Sequence, residues 1–382
     1  MGCDLKAVIW PLMTPLKHPI RTSFGAMESR PLLLLQLVDE NGIEGWGEAW
    51  VNYPPWALDE RGVVLHYLLQ KILKRSSTHD AVRDIIKHYR KQVVQSAGLG
   101  AFYHALSAID AALWDLEARR QRRPLREILV DNAAQLSEIP VYASGIGPED
   151  VRARVESAIN EGFTTVKIKV GFDDDIDHEN FRVVQSSRGI DGIIVDANQA
   201  WTRTKALREV QYYDGFGIEW VEEPISALDF EGYHLLGHQS HCIAAGENWY
   251  LDQVSECPSI RLKALQPDLC KVGGVGAARS FLRTSALHSD FVAFHVLGGP
   301  IAQALSLQVA SAWGSRVRWV EFDTNENLAR DAMKPSWVIT RGKAQLNQLP
   351  GLGLQIDTEH LEKFVAPHLR PFHKAMALDM AY

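Results

Sequence analysis

The sequence predicts an α/β protein in which a barrel of eight parallel strands follows a smaller α+β domain. The first observation is an alternation of short apolar strands and amphipathic helices from residue 136 to 334, typical of repeated βαβ units. The second is an N-terminal region that carries hairpin and helix signals without this alternation. The third is the length of 382 residues, more than one hydrophobic core usually organises.

The first 135 residues are predicted to form the α+β domain. Two apolar runs between Pro31 and Glu48 flank Asn41 and Gly42, and an Asn-Gly pair favours a type I′ hairpin. Apolar residues recur on one helical face from Phe102 to Arg119. The arginine-rich run that follows suits the negative end of a helix dipole, so we predict that the helix ends there.

The barrel is predicted to occupy residues 136–334, with its active site at the C-terminal ends of the strands. The Gly- and Pro-punctuated segment 335–382 departs from the βα pattern, and we predict that it returns to the first domain as part of a cap. The predicted strands are Ile139–Ser144, Thr165–Val170, Gly192–Asn198, Ile218–Pro224, Cys242–Asn248, Ala264–Leu269, Phe291–Leu297 and Trp319–Asp323.

Composition excludes several classes of protein. The net charge of −7 provides no basic footprint for nucleic acid. No apolar run is long enough for a membrane span, and the first residues do not resemble a secretion signal. The four cysteines contain no C-x-x-C pair, so neither a zinc site nor a disulfide framework is indicated. We expect a cytoplasmic homo-oligomer.

Seven ionisable residues lie in or at the ends of otherwise apolar strands, at intervals of 21 to 27 residues that match one βα unit each. Their side chains should therefore converge on one mouth of the barrel. Burying a charge is costly unless it is paired or metal-bound, so seven in register indicate a site. They are Lys169, Asp196, Glu222, Glu247, Asp268, His295 and Glu321.

Three of these are carboxylates on successive strands, Asp196, Glu222 and Glu247. Hard oxygen ligands with room for water suit Mg²⁺ better than zinc. Glu223 also carries a carboxylate, but strand alternation allows only one of Glu222 and Glu223 to face the interior. We choose Glu222, which shares a face with Trp220.

The other members of the series suggest acid-base chemistry. Lys167 and Lys169 share the interior face of their strand, and two neighbouring ammonium groups should lower each other's pKa towards the range of a general base. A Schiff-base lysine or a salt-bridged lysine are the alternatives. Asp268 and His295 end neighbouring strands, where a carboxylate can orient an imidazole.

These motifs resemble the mandelate racemase subgroup of the enolase superfamily over nearly the whole chain. The resemblance implies a (β/α)7β barrel capped by an α+β domain from both chain ends, with Mg²⁺ bound by Asp196, Glu222 and Glu247. The matching segments are Gly45-Trp46-Gly47-Glu48-Ala49, Lys167-Ile168-Lys169, Asp196-Ala197-Asn198-Gln199, Trp220-Val221-Glu222-Glu223-Pro224, Gly246-Glu247-Asn248-Trp249, Pro267-Asp268, Lys271-Val272-Gly273-Gly274, His295 and Glu321.

The resemblance also implies roles for single residues in removing the proton next to a carboxylate and stabilising the enediolate on the metal. Lys169 would be the base on one face of the substrate, and His295, paired with Asp268, would serve the other. Glu321 would hydrogen-bond the substrate carboxylate, and Lys167 would contact it and depress the pKa of Lys169. Asn198 is a further candidate for substrate binding.

The fate of the intermediate stays open between two reactions. Protonation of a β-hydroxyl leaving group gives an acid-sugar dehydratase, which the resemblance favours, and return of a proton on the far face gives a racemase or epimerase. A non-catalytic acid-binding protein is a remote alternative, because no base or metal ligand is missing. The cap loops should determine specificity through Phe24, Tyr53 and Trp56, and their aromatic character leaves room for a less hydroxylated carboxylate.

Overall fold

A computed structural model describes residues 5–72, 79–96, 99–129, 135–250, 260–285, 288–335, 337–374 and 376–378. Two bodies pack together: an antiparallel sheet with helices near the N-terminus, and a closed barrel of eight parallel strands. The predicted fold class is confirmed. In the described ranges, no helix is long and apolar enough to cross a membrane.

The capping domain is built on a four-stranded antiparallel sheet in the order β16-β1-β2-β3. Its core consists of leucines from the sheet and the apolar face of α3, whose contacts with β3 are extensive. The strands are β1 (Leu5–Thr22), β2 (Gly25–Val38), β3 (Glu44–Ala49) and β16 (Met376–Leu378). The helices are α1 (Ala57–Ile72), α2 (His79–Val93), α3 (Leu99–Arg120) and α4 (Leu125–Ile128).

The predicted hairpin between β2 and β3 is present, but its turn is not type I′. Only Gly42 has a positive φ in this turn, 75°, whereas a type I′ turn needs two such residues. The backbone N–H of Gly42 donates to the carbonyl of Asp39 at 3.0 Å. The Asp39 carboxylate accepts from the N–H groups of Asn41 and Ile43, each at 2.9 Å. Asp39 therefore organises a type I turn completed by Gly42.

The barrel closes because the last strand pairs in parallel with the first, at Val320–Asp323 against Val141–Ser144. All eight predicted strands are present, although several end earlier than predicted. They are β4 (Glu138–Ile146), β5 (Thr165–Lys169), β6 (Gly192–Asp196), β7 (Trp220–Glu222), β8 (Ile243–Ala245), β9 (Leu262–Leu265), β10 (Ser289–Phe294) and β11 (Val317–Asp323).

Six described helices surround the barrel, each between two consecutive strands, while the connection from β8 to β9 includes residues 251–259, which lie outside the described ranges. Side-chain caps start several of these helices; Asp173, for example, accepts hydrogen bonds from the N–H groups of Asp175 and Ile176. The helices are α5 (Val151–Asn160), α6 (Asp174–Gln185), α7 (Arg203–Asp214), α8 (Phe230–Gln239), α9 (Gly274–Ser285) and α10 (Pro300–Trp313).

The C-terminal segment, which we predicted to return to the first domain, contacts the barrel as well as the cap. The hairpin β13 (Trp337–Thr340) and β14 (Lys343–Leu346) extends the barrel sheet, because β14 pairs with the start of β4. The chain then passes through short β15 (Gln355–Ile356), which pairs with β12 (Met333–Lys334), and α11 (Thr358–Glu362). It reaches the cap sheet as β16.

Buried carboxylates join the cap to the barrel. Glu48 on β3 accepts hydrogen bonds from the N–H groups of Gly299 and Ala302 at the start of α10, and Asp110 on α3 accepts from Val275 in α9 at 2.7 Å. Carboxyl oxygens stabilise helix N-termini by accepting from N–H groups that have no partner within the helix. The cap is therefore fixed on the barrel face where the strands end.

Candidate active site

The strand ends bring the predicted charged residues together. Lys169, Asp196 and Glu222 are the last residues of β5, β6 and β7, and the strand register pairs Lys169 with Asp196 and Asp196 with Glu222. Glu247, Asp268 and His295 follow the ends of β8, β9 and β10, and Glu321 lies within β11. Because the eight strands are parallel, their C-terminal ends bring all of these residues to one mouth, as predicted from their spacing.

Five of these seven residues line a cavity of about 470 Å³ between the barrel mouth and the cap. Glu222 and Asp268 do not line it, because Lys167 covers Glu222 and His295 covers Asp268. The predicted residues that line the cavity are Lys167, Lys169, Asp196, Asn198, Glu247, His295, Glu321, Phe24 and Tyr53.

Trp56 does not line this cavity, contrary to our prediction of a substrate contact. Its side chain is 63% exposed, and its carbonyl accepts a hydrogen bond from the N–H of Glu60 at the start of α1. The turn into α1 determines the direction of this side chain, which residue type alone could not predict. The aromatic wall of the cavity is formed instead by Trp50, Tyr53 and Phe24, with the rings of Phe24 and Tyr53 5.0 Å apart.

Lys167 is surrounded by carboxylates at the floor of the cavity. Its Nζ is hydrogen-bonded to Glu222 and lies 2.8 Å from Glu321 and 3.5 Å from Asp196. Burial opposes its charge, but these carboxylates outweigh burial and raise the pKa of Lys167 well above its ordinary value. The predicted lowering of the pKa by the neighbouring lysine is therefore wrong for Lys167, because anions contact it more closely than any cation does.

Lys169 lies nearer the cavity mouth. Its Nζ donates to the side-chain oxygen of Asn198 at 2.6 Å and lies 3.2 Å from Asp196. Asn198 adopts a positive φ of 43°, and its backbone N–H donates to Asp196 at 2.9 Å. The turn after β6 therefore presents the Asn198 amide to the lysine and to the cavity.

His295 is held between two carboxylates on the other side of the mouth. Its Nδ1 lies 2.8 Å from Asp268, and its Nε2 contacts Glu247. Asp268 is itself fixed by the backbone N–H of Cys270 at 2.7 Å. Burial would lower the pKa of His295, but Glu247, Glu321 and Asp268 together raise that pKa to about 10.

The carboxylates at the mouth outnumber the ammonium groups. The buried acids are Asp196, Glu222, Glu223, Asp268 and Glu321, to which the partly buried Glu247 is added, and the buried amines are Lys167, Lys169 and Lys271. Burial, with Asp196 and Glu321 nearby, raises the pKa of Glu222 to about 7 despite Lys167. The excess of negative charge and the all-oxygen donor set both fit a divalent cation such as Mg²⁺.

The three predicted metal ligands are engaged by protein cations in this structure. Lys167 contacts both Asp196 and Glu222, and His295 contacts Glu247. Within the ranges that the structure describes, no three His, Cys, Asp or Glu side chains are grouped as a ready metal site. The donor types fit Mg²⁺, and holding it would require Lys167 to move away from the carboxylates.

Several residues that line the cavity were not among our predicted site residues. Most of them follow predicted residues or strand ends, a signal that could have identified them. Lys271 belongs to one of the segments that carry the family resemblance, but we predicted no role for it; Gly273 and Gly274 have positive φ values there, and Lys271 itself lines the cavity. The additional lining residues are Thr22, Ser23, Trp50, Ser144, Gln199, Ala200, Asn248, Lys271, Leu297 and Asn325.

Comparison with known proteins gives two family matches. Residues 150–360 match the enolase C-terminal domain-like family, and residues 5–129 match the mandelate racemase / muconate lactonizing enzyme N-terminal domain. Together they span the cap and most of the barrel. The motif-based resemblance and the family matches therefore agree.

The relatives differ in the reactions that their names specify. The chain is 27% identical to D-galactarolactone cycloisomerase from Agrobacterium fabrum, covering 92% of this chain and 97% of the relative. It is 25% identical to o-succinylbenzoate synthase from Geobacillus stearothermophilus, over 95% of this chain and 96% of that relative. A similar structure is that of L-talarate/galactarate dehydratase from Salmonella typhimurium, liganded with Mg and L-lyxarohydroxamate. Its TM-score is 0.78 at 22% identity, and the match covers 99% of this chain and 95% of that chain.

Proposed function

Because the chain belongs to the mandelate racemase / muconate lactonizing enzyme family of the enolase superfamily, we propose that it catalyses β-elimination from a small carboxylic acid. The reaction begins with removal of the proton next to the carboxylate and continues with loss of a β-substituent. Dehydration of an acid sugar is the form that we favour. The product of water loss is an enol, which rearranges to a 2-keto-3-deoxy acid.

The observation that carries this proposal is the placement of Lys169 and His295 in one cavity. They lie on the second and seventh strands of the eight-stranded ring, and therefore face the cavity from different sides. One group can remove the α-proton while the other delivers a proton to the leaving oxygen. In this assignment Lys169 is the base, held by Asn198 at 2.6 Å, and His295 is the acid, held by Asp268.

The remaining charged residues bind and orient the carboxylate. Lys167, whose Nζ lies 2.8 Å from Glu321 at the cavity floor, would contact its oxygens and favour the negative charge that develops there. Glu321 would hydrogen-bond the same carboxylate. Asp196, Glu222 and Glu247 would hold Mg²⁺, which would act as a Lewis acid towards the carboxylate oxygens. The cap aromatic residues Phe24 and Tyr53 would limit the entry of water.

A second candidate is cycloisomerisation, in which a ring oxygen is the β-leaving group instead of hydroxide. The match to a lactone cycloisomerase over nearly the full length of both chains supports it. The aromatic wall around Trp50 and Tyr53 also suits a compact ring better than an extended polyol. Racemisation or epimerisation would use the same pair, Lys169 and His295, without a leaving group. The o-succinylbenzoate synthase relatives indicate that carboxylates other than acid sugars are also candidate substrates.

A panel of aldonic and aldaric acids, their lactones and simple 2-hydroxy acids, incubated with the protein and Mg²⁺ in ²H₂O, distinguishes these reactions. Dehydration loses water and yields a 2-keto-3-deoxy acid. Cycloisomerisation changes a lactone without changing its mass apart from deuterium, and racemisation gives a deuterated epimer. Ligands that raise the unfolding temperature without any turnover or exchange would instead indicate an acid-binding protein and contradict the proposal. A K169A/H295N double variant is the inactive control.

A further inference from the structure

Asn248 follows the predicted metal ligand Glu247 and lies between two carboxylates. Its amide nitrogen is 2.8 Å from one oxygen of Glu247 and 3.1 and 3.0 Å from the two oxygens of Glu223. Its amide oxygen accepts a hydrogen bond from Lys271 at 3.1 Å. Because anions hold the nitrogen and a cation holds the oxygen, this amide has only one favourable orientation.

Glu223 is a fixed anchor for this arrangement. It is 1% exposed and has a positive φ of 38°, a conformation that persists only where the surroundings hold it. The side chain of Gln199 donates to its carboxylate at 2.8 Å, and its backbone carbonyl accepts from the N–H of Gln199 at 2.7 Å. The carboxylate that accepts from Asn248 is therefore held by a second amide donor as well.

Lys271 is also held by contacts within the protein. It is 3% exposed, and its Nζ lies 3.6 Å from Glu247 and 4.2 Å above the ring centre of Trp50. With Asn248 as its third neighbour, its ammonium group has a partner for each of its three N–H bonds. Lys271 therefore supports the amide of Asn248 and links it to the cap.

We propose that Asn248 is a positioning residue that fixes the carboxylate of Glu247 for binding a divalent cation. Its hydrogen bond restrains one oxygen of Glu247, so the other oxygen faces His295 and the cavity. The inference rests on the proposed function, because Glu247 is a metal ligand only in that proposal. Hydrogen bonds to metal ligands from outside the coordination sphere typically change metal affinity by ~10–100-fold.

The test measures binding of Mn²⁺ as a probe of the site, without any substrate. Free Mn²⁺ is followed by electron paramagnetic resonance during titration of the wild-type protein, N248A and the matched control N160A, in which an exposed amide at the end of α5 is removed. We expect the Kd of N248A to rise by ~10–100-fold and that of N160A to stay within twofold of wild type. Circular dichroism verifies the fold, and N248S replaces N248A if the alanine variant does not fold.

The outcomes separate this inference from the proposed function. A merely structural role would lower the unfolding temperature of N248A and leave its Kd for Mn²⁺ unchanged, which would overturn the positioning role alone. A wild-type protein that binds no Mn²⁺ would overturn the metal site and this inference together. Weaker Mn²⁺ binding in N248A, with a wild-type Kd in N160A, supports the positioning role whichever substrate the enzyme uses.

Discussion

The Nδ1 atom of His295 lies 2.8 Å from an oxygen of Asp268, and the two residues follow adjacent strands of the barrel. This contact determines which imidazole nitrogen faces the cavity. Because Asp268 accepts a hydrogen bond from Nδ1, the Nε2 atom, which contacts Glu247 in this structure, is the nitrogen that can exchange a proton with a substrate. The pair therefore has the geometry of an oriented acid-base group.

Replacing Asp268 by asparagine should reduce kcat by ~10²-fold or more, since general acid-base catalysis typically contributes ~10²–10⁴-fold. The amide can present its N–H to the ring and select the wrong tautomer. Steady-state kinetics on the substrate found by screening measure the effect. D290N, at the opposite end of β10 and exposed, is the control and should keep wild-type kcat; an equal loss in both variants would contradict the role of the pair.

Lys169 and His295 should act on different faces of the substrate. In ²H₂O, K169A should stop exchange of the α-proton for the epimer whose hydrogen faces the lysine, and H295N should stop it for the opposite epimer. For a dehydratase, the variant that lacks only the leaving-group acid should still exchange deuterium without forming product. Proton NMR follows exchange, with K343A, which breaks an exposed ion pair to Glu138, as control. Wild-type exchange of both epimers in both variants would show that neither residue is the base.

The E222Q variant should lose at least ~10²-fold in turnover, the scale expected for an electrostatic element of this kind. The amide keeps the size of the side chain but removes a negative charge from the proposed Mg²⁺ site. Chelation should give the same loss in the wild-type protein, reversed by added Mg²⁺. The control is E219Q, just before β7 and half-exposed. Activity of E222Q within tenfold of wild type would remove Glu222 from the metal ligands.

Glu48 should make the stability of the protein depend on pH. Burial raises its pKa to about 7, although hydrogen bonds from Gly299 and Ala302 oppose the shift. Because the folded pKa exceeds the ordinary value of 4.5, the folded state binds the proton more tightly. The free energy of unfolding should therefore fall as pH rises from 4.5 to 7, by about 3 kcal/mol at this site.

Chemical denaturation of wild-type protein and E48Q between pH 4 and 8 measures this contribution. Glutamine does not ionise, so the stability of wild type relative to E48Q should decrease across this range. E28Q, which changes an exposed glutamate, is the control variant. If the difference in the free energy of unfolding between wild type and E48Q does not change with pH, Glu48 does not hold its proton more tightly in the folded state.

The sequence was sufficient to predict the barrel, its eight strands and the convergence of Lys169, Asp196, Glu222 and His295. These features depend on short-range rules: strand faces alternate with period two, and one βα unit fixes the interval between strand ends. Charges at those ends are therefore neighbours in space whatever the rest of the fold does. The hairpin from β2 to β3 was predictable for the same reason.

The tertiary structure alone decided which partners each charge has. Carboxylates on three other strands raise the pKa of Lys167. From the sequence we predicted its pKa only from the neighbouring Lys169. The outward direction of Trp56 depends on the turn into α1. Asn248 acquires its position from Glu223 and Lys271, which lie 25 and 23 residues away along the chain. Such contacts depend on how strands and loops pack together, and packing is not encoded in the periodicity of any one segment.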